Sequence, residues 1–182
     1  AGMGGDLICK ILKAKPEFLI EGKEFILQPQ SEWFKVRRLL KEYHYQIEKE
    51  WFLKEDGKYY VIIKAEPAWT QPQRLKHQQP SIHEYIKEIS ETPANQAVSE
   101  KDMESIYEQY GKYLIETKNP VLKEYLKKEI TKKESIAAEL KQSIKEMESE
   151  ELSGKERGNI AKRQRRYQEI QKEIRDMRKA IG

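Results

Sequence analysis

At 182 residues, with 36% charged side chains against 37% apolar ones, the chain suits one ordinary domain, or a small domain with a solvated helical extension. No run approaches the roughly eighteen apolar residues of a membrane span, and no secretory signal opens the chain. The net charge of +4 is uneven: +1 over 1–66, −2 over 67–121 and +5 over 122–182, so any polyanionic partner is expected at the C-terminal end.

The single cysteine, Cys9, excludes an internal disulfide framework and fits a reducing, cytoplasmic setting. Its neighbours Leu7, Ile8, Ile11 and Leu12 predict a buried structural thiol. His44, His77 and His83 never fall with it at metal-ligand spacing, so no metal is expected. No GxSxG, Walker A or HExxH motif is present.

In chain order, "AGMGG" (1–5) leads into "LICKILK", whose apolar positions 7, 8, 11 and 12 predict a helix with Asp6 as an acidic N-cap. "EFILQ" (24–28) reads as a short buried strand ended by Pro29. Ser31 is then the predicted cap of a helix whose Trp33, Val36, Leu40 and Tyr43 share a face. Tyr45, Ile47, Trp51 and Leu53 alternate as in a strand with one covered face, broken at Lys49. Asp56-Gly57 predicts a tight hairpin, and "KYYVIIKAE" (58–66) a central strand. A helix that follows a glycine turn wants a strand before it, so residues 1–66 read as half of an α/β sheet.

The proline- and glutamine-rich stretch 67–81 predicts a linker, and 82–121 helical pieces broken near Thr92-Pro93 and Asn119-Pro120. Beyond it, Leu122, Leu126, Ile130, Ala137, Leu140, Ile144 and Met147 step by threes, fours and one seven. After "ELSGKERG" the stepping resumes at Ile160, Tyr167, Ile170, Ile174, Met177 and Ile181. Two narrow seams joined by a glycine-containing turn predict an antiparallel coiled-coil hairpin, its seams being helix packing rather than a cofactor site. The seams leave pairing within or between chains open. At the hairpin tip, Lys155, Arg157, Lys162, Arg163, Arg165 and Arg166 face one acid, Glu156. With Tyr167 the only aromatic nearby, they suit phosphate contacts more than base stacking.

Taken in order, "AGMGG-x-L-I", "FILQPQ" and "LKEDGKYYVIIKAEP", followed by a helical tail, resemble the bacterial TrmK family. "YGKYLIETKNPVLKEYLKKEI" (110–130) is also similar to the family's segment before its coiled coil. The resemblance implies the C-terminal part of a class I, Rossmann-like α/β methyltransferase domain at 1–67. A linker with short helices would follow at 68–121, and an α-helical antiparallel coiled coil at 122–182. It implies transfer of a methyl group from S-adenosylmethionine to N1 of adenine 22 in tRNA. Ala1, Gly2, Met3 and Gly4 would lie on the cofactor side, and Gln28, Pro29 and Gln30 on the rim near the base. The six tip cations, Lys155 to Arg166, would hold tRNA. Family features that bind the rest of the cofactor lie upstream of such a segment, so the isolated chain is expected to be inactive, and no catalytic side chain is assigned. The rival reading is a non-enzymatic coiled-coil module that binds RNA or protein beside a residual α/β platform.

Overall fold

The structure, a computed structural model, describes residues 3–68, 94–148 and 154–182, with side chains described over 3–68, 102–147 and 157–182. Residues Ala1–Asn119 and Pro120–Gly182 form two compact units. No described helix is long and apolar enough to cross a membrane.

The first unit begins with α1 (Gly5–Ala14), α2 (Pro16–Glu21), β1 (Phe25–Leu27) and α3 (Trp33–Glu42). A hairpin of β2 (Tyr45–Glu55) and β3 (Lys58–Pro67) follows, then α4 (Ala94–Tyr110) and α5 (Lys112–Glu116). The sheet order is β1-β3-β2, and both neighbours run antiparallel to β3, so the last strand is the central one. The hairpin turns at Asp56 and Gly57, with φ of 47° and 75°, the left-handed pair that matches strand twist.

One face of the sheet makes the core. Val61, Ile63 and Ala65 are fully buried beside Phe52 at 1% exposure, and α3 packs on β2 with Val36, Leu39 and Leu40 buried. Trp33 meets Phe52 edge-on at 5.4 Å between centroids. The predicted odd-numbered face of β2 holds only as far as Ile47. A β-bulge between Ile47 and Lys49 flips the alternation, so Glu50 and Phe52 turn inward while Leu53 is 45% exposed.

Other local expectations are corrected. Gly4, not Asp6, is the N-cap of α1, and Asp6 sits in the first turn, where a carboxylate favours the helix dipole. Ser31 does not cap α3: Glu32 holds that place at φ 52°, in a turn whose Ser31 carbonyl is already engaged by the Gly5 N–H. On α1 only Ile8 and Leu12 of the four apolar positions are buried, and Cys9 is half-buried. The strand at 24–28 is only partly buried, with Ile26 on its outer face 66% exposed. Helix α2 was not anticipated, although Pro16 at its first turn is a start signal.

Residues 69–93, which include most of the predicted linker and the Thr92-Pro93 break, lie outside the described residues. The helical part of that region includes a 17-residue helix, α4, longer than the short pieces expected. Gly111, at φ 91°, separates α4 from α5, which glycine does without Cβ strain.

The second unit is α6 (Pro120–Glu148) and α7 (Gly154–Ile181), packed along each other. Glu134 bonded to Arg178 at 2.6 Å and Ser143 to Arg163 at 2.9 Å fix an antiparallel pairing. Ala137, Ile170 and Ile174 are buried between the helices, with Ile130, Leu140 and Tyr167 against them, as the seam spacing predicts. Gly158 lies inside α7 rather than in the turn, and 149–153 fall outside the described residues.

Candidate functional site

The two candidate motifs of the first unit meet through their backbones. Before α1, the Met3 carbonyl accepts the Gln30 N–H at 2.9 Å; the Gly5 N–H donates to the Ser31 carbonyl at 2.8 Å. These bonds lay residues 3–5 beside 30–31, so the "MGG" and "QPQS" segments form one junction. Glycine is required at position 5 for close approach of the two backbones. A Cβ on Gly5 would stand 2.5 Å from the Glu32 carbonyl oxygen, and one on Gly4 2.9 Å from Ser31 Oγ. Gly4 itself has an ordinary extended φ of −68°.

Within the junction Met3 is 43% exposed, Gln28 and Gln30 are exposed, and Pro29 between them is fully buried. The buried proline anchors two outward amides on either side of it, groups that can both donate and accept hydrogen bonds. Ala1 and Gly2 lie outside the described residues.

Beside the junction sits a solvent-exposed charge cluster. Asp6 accepts from Lys35 at 3.0 Å and pairs with Lys10 at 2.8 Å, and Lys35 also pairs with Glu32. Hydrogen bonds from Lys10 and Lys35 hold the Asp6 carboxyl down at about 2, and those from Glu32 and Asp6 raise the Lys35 ammonium. Burial pushes the Cys9 thiol up. Asp6 is thus ionised and Lys35 charged at neutral pH. Neither is matched to proton transfer at neutral pH, and the junction is equipped to position rather than to titrate.

Sequence reasoning missed an ion pair behind this surface. Arg37, on the buried side of α3, donates from Nε to Glu50 Oε1 at 2.8 Å, with side chains 3% and 1% exposed. Its Nη1 also donates to the carbonyls of Glu108 and Gln109 at 3.1 and 2.9 Å, capping the C-terminal end of α4. Burial raises the Glu50 carboxyl, and the Arg37 guanidinium only partly offsets this. Half of the signal was present: Arg37 lies four residues after Trp33 and three before Leu40, on the apolar side of its helix, whereas the bulge in β2 hid Glu50.

In the second unit the tip cations differ among themselves. Arg157, Lys162 and Arg165 are exposed, and Lys155 has no described side chain. Arg166 is taken up by Glu169 at 3.1 Å and Glu173 at 3.5 Å. Arg163 donates to Ser143 and reaches the Met147 sulfur. Among the described residues no group of His, Cys, Asp or Glu is placed to hold a metal.

These features make a mixed helix-and-sheet protein, similar in fold to a Streptococcus agalactiae protein described as belonging to the NADB-Rossmann superfamily, with a TM-score of 0.57 at 19% identity, covering 100% of this chain and 57% of that one. The family model for TrmK, tRNA (adenine(22)-N(1))-methyltransferase, matches residues 1–106, and the chain belongs to that family. The Bacillus subtilis tRNA (adenine(22)-N(1))-methyltransferase is 41% identical over 66 residues, which are 36% of this chain and 28% of the relative. The crystal structure of the B. subtilis m1A22 tRNA methyltransferase TrmK aligns with a TM-score of 0.61 at 22% identity, covering 100% of this chain and 61% of that one. The M. capricolum TrmK complex with S-adenosyl-homocysteine aligns at 0.56 and 18% identity, covering 100% and 57%. The chain therefore spans about three fifths of the length of these solved relatives.

Proposed function

We propose that the whole protein methylates N1 of adenine 22 in tRNA using S-adenosylmethionine, and that the 3–5/28–31 junction lines its reaction site. The observation that carries this reading is the backbone ladder joining two motifs of a TrmK-family chain into one exposed ledge. The fit of the cofactor is partial. Ser31 and Glu32 fill the space beside Gly4 and Gly5, which leaves Met3 as the described residue of this segment that it would touch. S-adenosylmethionine would supply an electrophilic sulfonium methyl. N1 of neutral adenine carries a lone pair and no proton, so direct displacement needs no strong general base. This agrees with a junction whose flanking carboxyls, Asp6 and Glu32, are both engaged in ion pairs with Lys35. Gln28 and Gln30 would hold the edge of a base opened from its tRNA contacts, and Pro29 would fix their spacing.

In this reading residues 1–67 are the C-terminal half of the methyltransferase domain, 68–121 connect, and 122–182 form an antiparallel coiled-coil hairpin. Lys155, Arg157, Lys162, Arg163, Arg165 and Arg166 meet tRNA phosphates in the cytoplasm. The test is methyl transfer from labelled S-adenosylmethionine by the product of the complete open reading frame, with the 182-residue chain run beside it. Label on an adenine-22 transcript and none on its guanine-22 counterpart is the expected result, with the shorter chain silent. Label on both transcripts would discard the site, and label on neither would leave only a binding module.

A further inference from the structure

The helix pair has two unlike edges. On one, Lys133 pairs with Glu173, which also meets Arg166, and Arg166 meets Glu169, so cations and acids cancel. The other edge is marked by Glu134, which accepts from Arg178 at 2.6 Å. Helical spacing places four lysines of α6 along it. Lys127 and Lys141 lie seven residues either side of Glu134. Lys123 and Lys141 are 18 residues apart, as are Lys127 and Lys145; 18 residues is about five turns, so each pair shares an azimuth.

All four lysines are exposed, and among the described side chains none meets a carboxylate. The acid of this stripe, Glu134, is already neutralised by Arg178. On α7 the same edge steps by sevens from Arg178 through Gln171 and Gln164 to the exposed Arg157, and so runs into the tip cluster. The stripe from Lys123 to Lys145 is about 33 Å long at roughly 1.5 Å per residue.

We propose that this edge, through Lys123, Lys127, Lys141 and Lys145, is a phosphate-gripping track for a structured RNA, continuous with the tip cations. The proposal rests on the tRNA-directed reading above and adds a set of residues to it. Its chemistry favours RNA over a protein or a membrane. Protein interfaces are depleted in lysine and enriched in aromatics, and a membrane-lying helix needs an apolar face. The exposed large apolar residue of α6, Ile136, is nine residues from Lys127, about two and a half turns, and so on the opposite side.

The test titrates a labelled tRNA transcript with the 182-residue chain from about 50 to about 200 mM salt, where each lost phosphate contact lowers the slope of log K against log salt by roughly 0.9. K123Q/K127Q/K141Q/K145Q should weaken binding at least about tenfold and make the slope shallower by about 3.6, with helicity unchanged by circular dichroism. K23Q/K54Q/K58Q/K112Q, with the same change of charge in the first unit, should leave the slope in place. Equal slopes for the stripe variant and the parent would overturn the track. So would equal losses in both variants, no tRNA binding by the parent, or the same stripe dependence on phosphatidylserine vesicles. A stripe-dependent slope together with absent methylation by the complete protein would keep the track and discard the enzyme reading.

Discussion

Two ion pairs of the same composition, one in each unit, behave as different objects. Arg37–Glu50 is closed off from water and shares its guanidinium with the last carbonyls of α4. Arg178–Glu134 lies open, its side chains 62% and 45% exposed. In the first unit charge serves the fold, because buried ions must be matched by partners. The second unit is held by a thin apolar seam, and its charged pairs lie at the surface.

The largest test of this contrast is removal of half the buried pair. Arg37→Ala strands the Glu50 carboxylate and frees two carbonyls of α4, and should cost about 3–5 kcal/mol in denaturant unfolding. Arg37→Met with Glu50→Leu should recover much of that loss; a double variant as unstable as the single one would show that the pair's worth lies in the α4 cap. Next in size is the seam. Ile170, 1% exposed between α6 and α7, should cost about 2–4 kcal/mol as Ile170→Ala. Far-ultraviolet ellipticity over the melt would read the loss, and a variant indistinguishable from the parent would mean that the seam does not hold the pair. Arg178→Ala should shift stability by no more than about 1 kcal/mol, the exposed-pair limit. A larger loss would mean that this edge is structural rather than free.

How far the sequence could be read follows the same division. Periodicity exposed both long helices because their seams are simple, and Asp56-Gly57 announced its hairpin through turn chemistry. The strand after Tyr45 was legible only to its bulge: one extra residue near Glu48 reverses which side chains enter the core, and no local pattern announces it. Glu50 was hidden by the same slip, since a glutamate on the apparently outward side of a strand reads as solvated. The Gly5–Ser31 and Met3–Gln30 bonds join segments some 25 residues apart, so the ledge they build could be inferred only from family resemblance. The caps were misplaced by one or two residues, since the Gly4 and Glu32 backbones do the work expected of Asp6 and Ser31.

The smallest effect concerns the exposed charge cluster beside the ledge. Asp6 titrates at about 2 in the folded chain, against about 4 for a free aspartate, because Lys10 and Lys35 hydrogen-bond its ionised form. A depressed folded value means that the unfolded chain takes up the proton first. The stabilisation is therefore complete above pH about 4 and lost as the pH falls towards about 2. Glu50 carries the opposite sign: its raised carboxyl favours the folded state in acid, and that benefit fades as the pH rises above the free glutamate value. Among the described carboxyls, Asp6 and Glu50 thus act on the acid limb in opposite directions, one at the surface and one buried. Asp6→Asn removes the exposed contribution alone, so unfolding followed across the acid window should show a shallower loss on acidification than in the parent. An unchanged slope would mean that the Lys10–Asp6–Lys35 cluster is too well solvated to matter. The ledge would then owe its position to its backbone bonds and buried Pro29 alone.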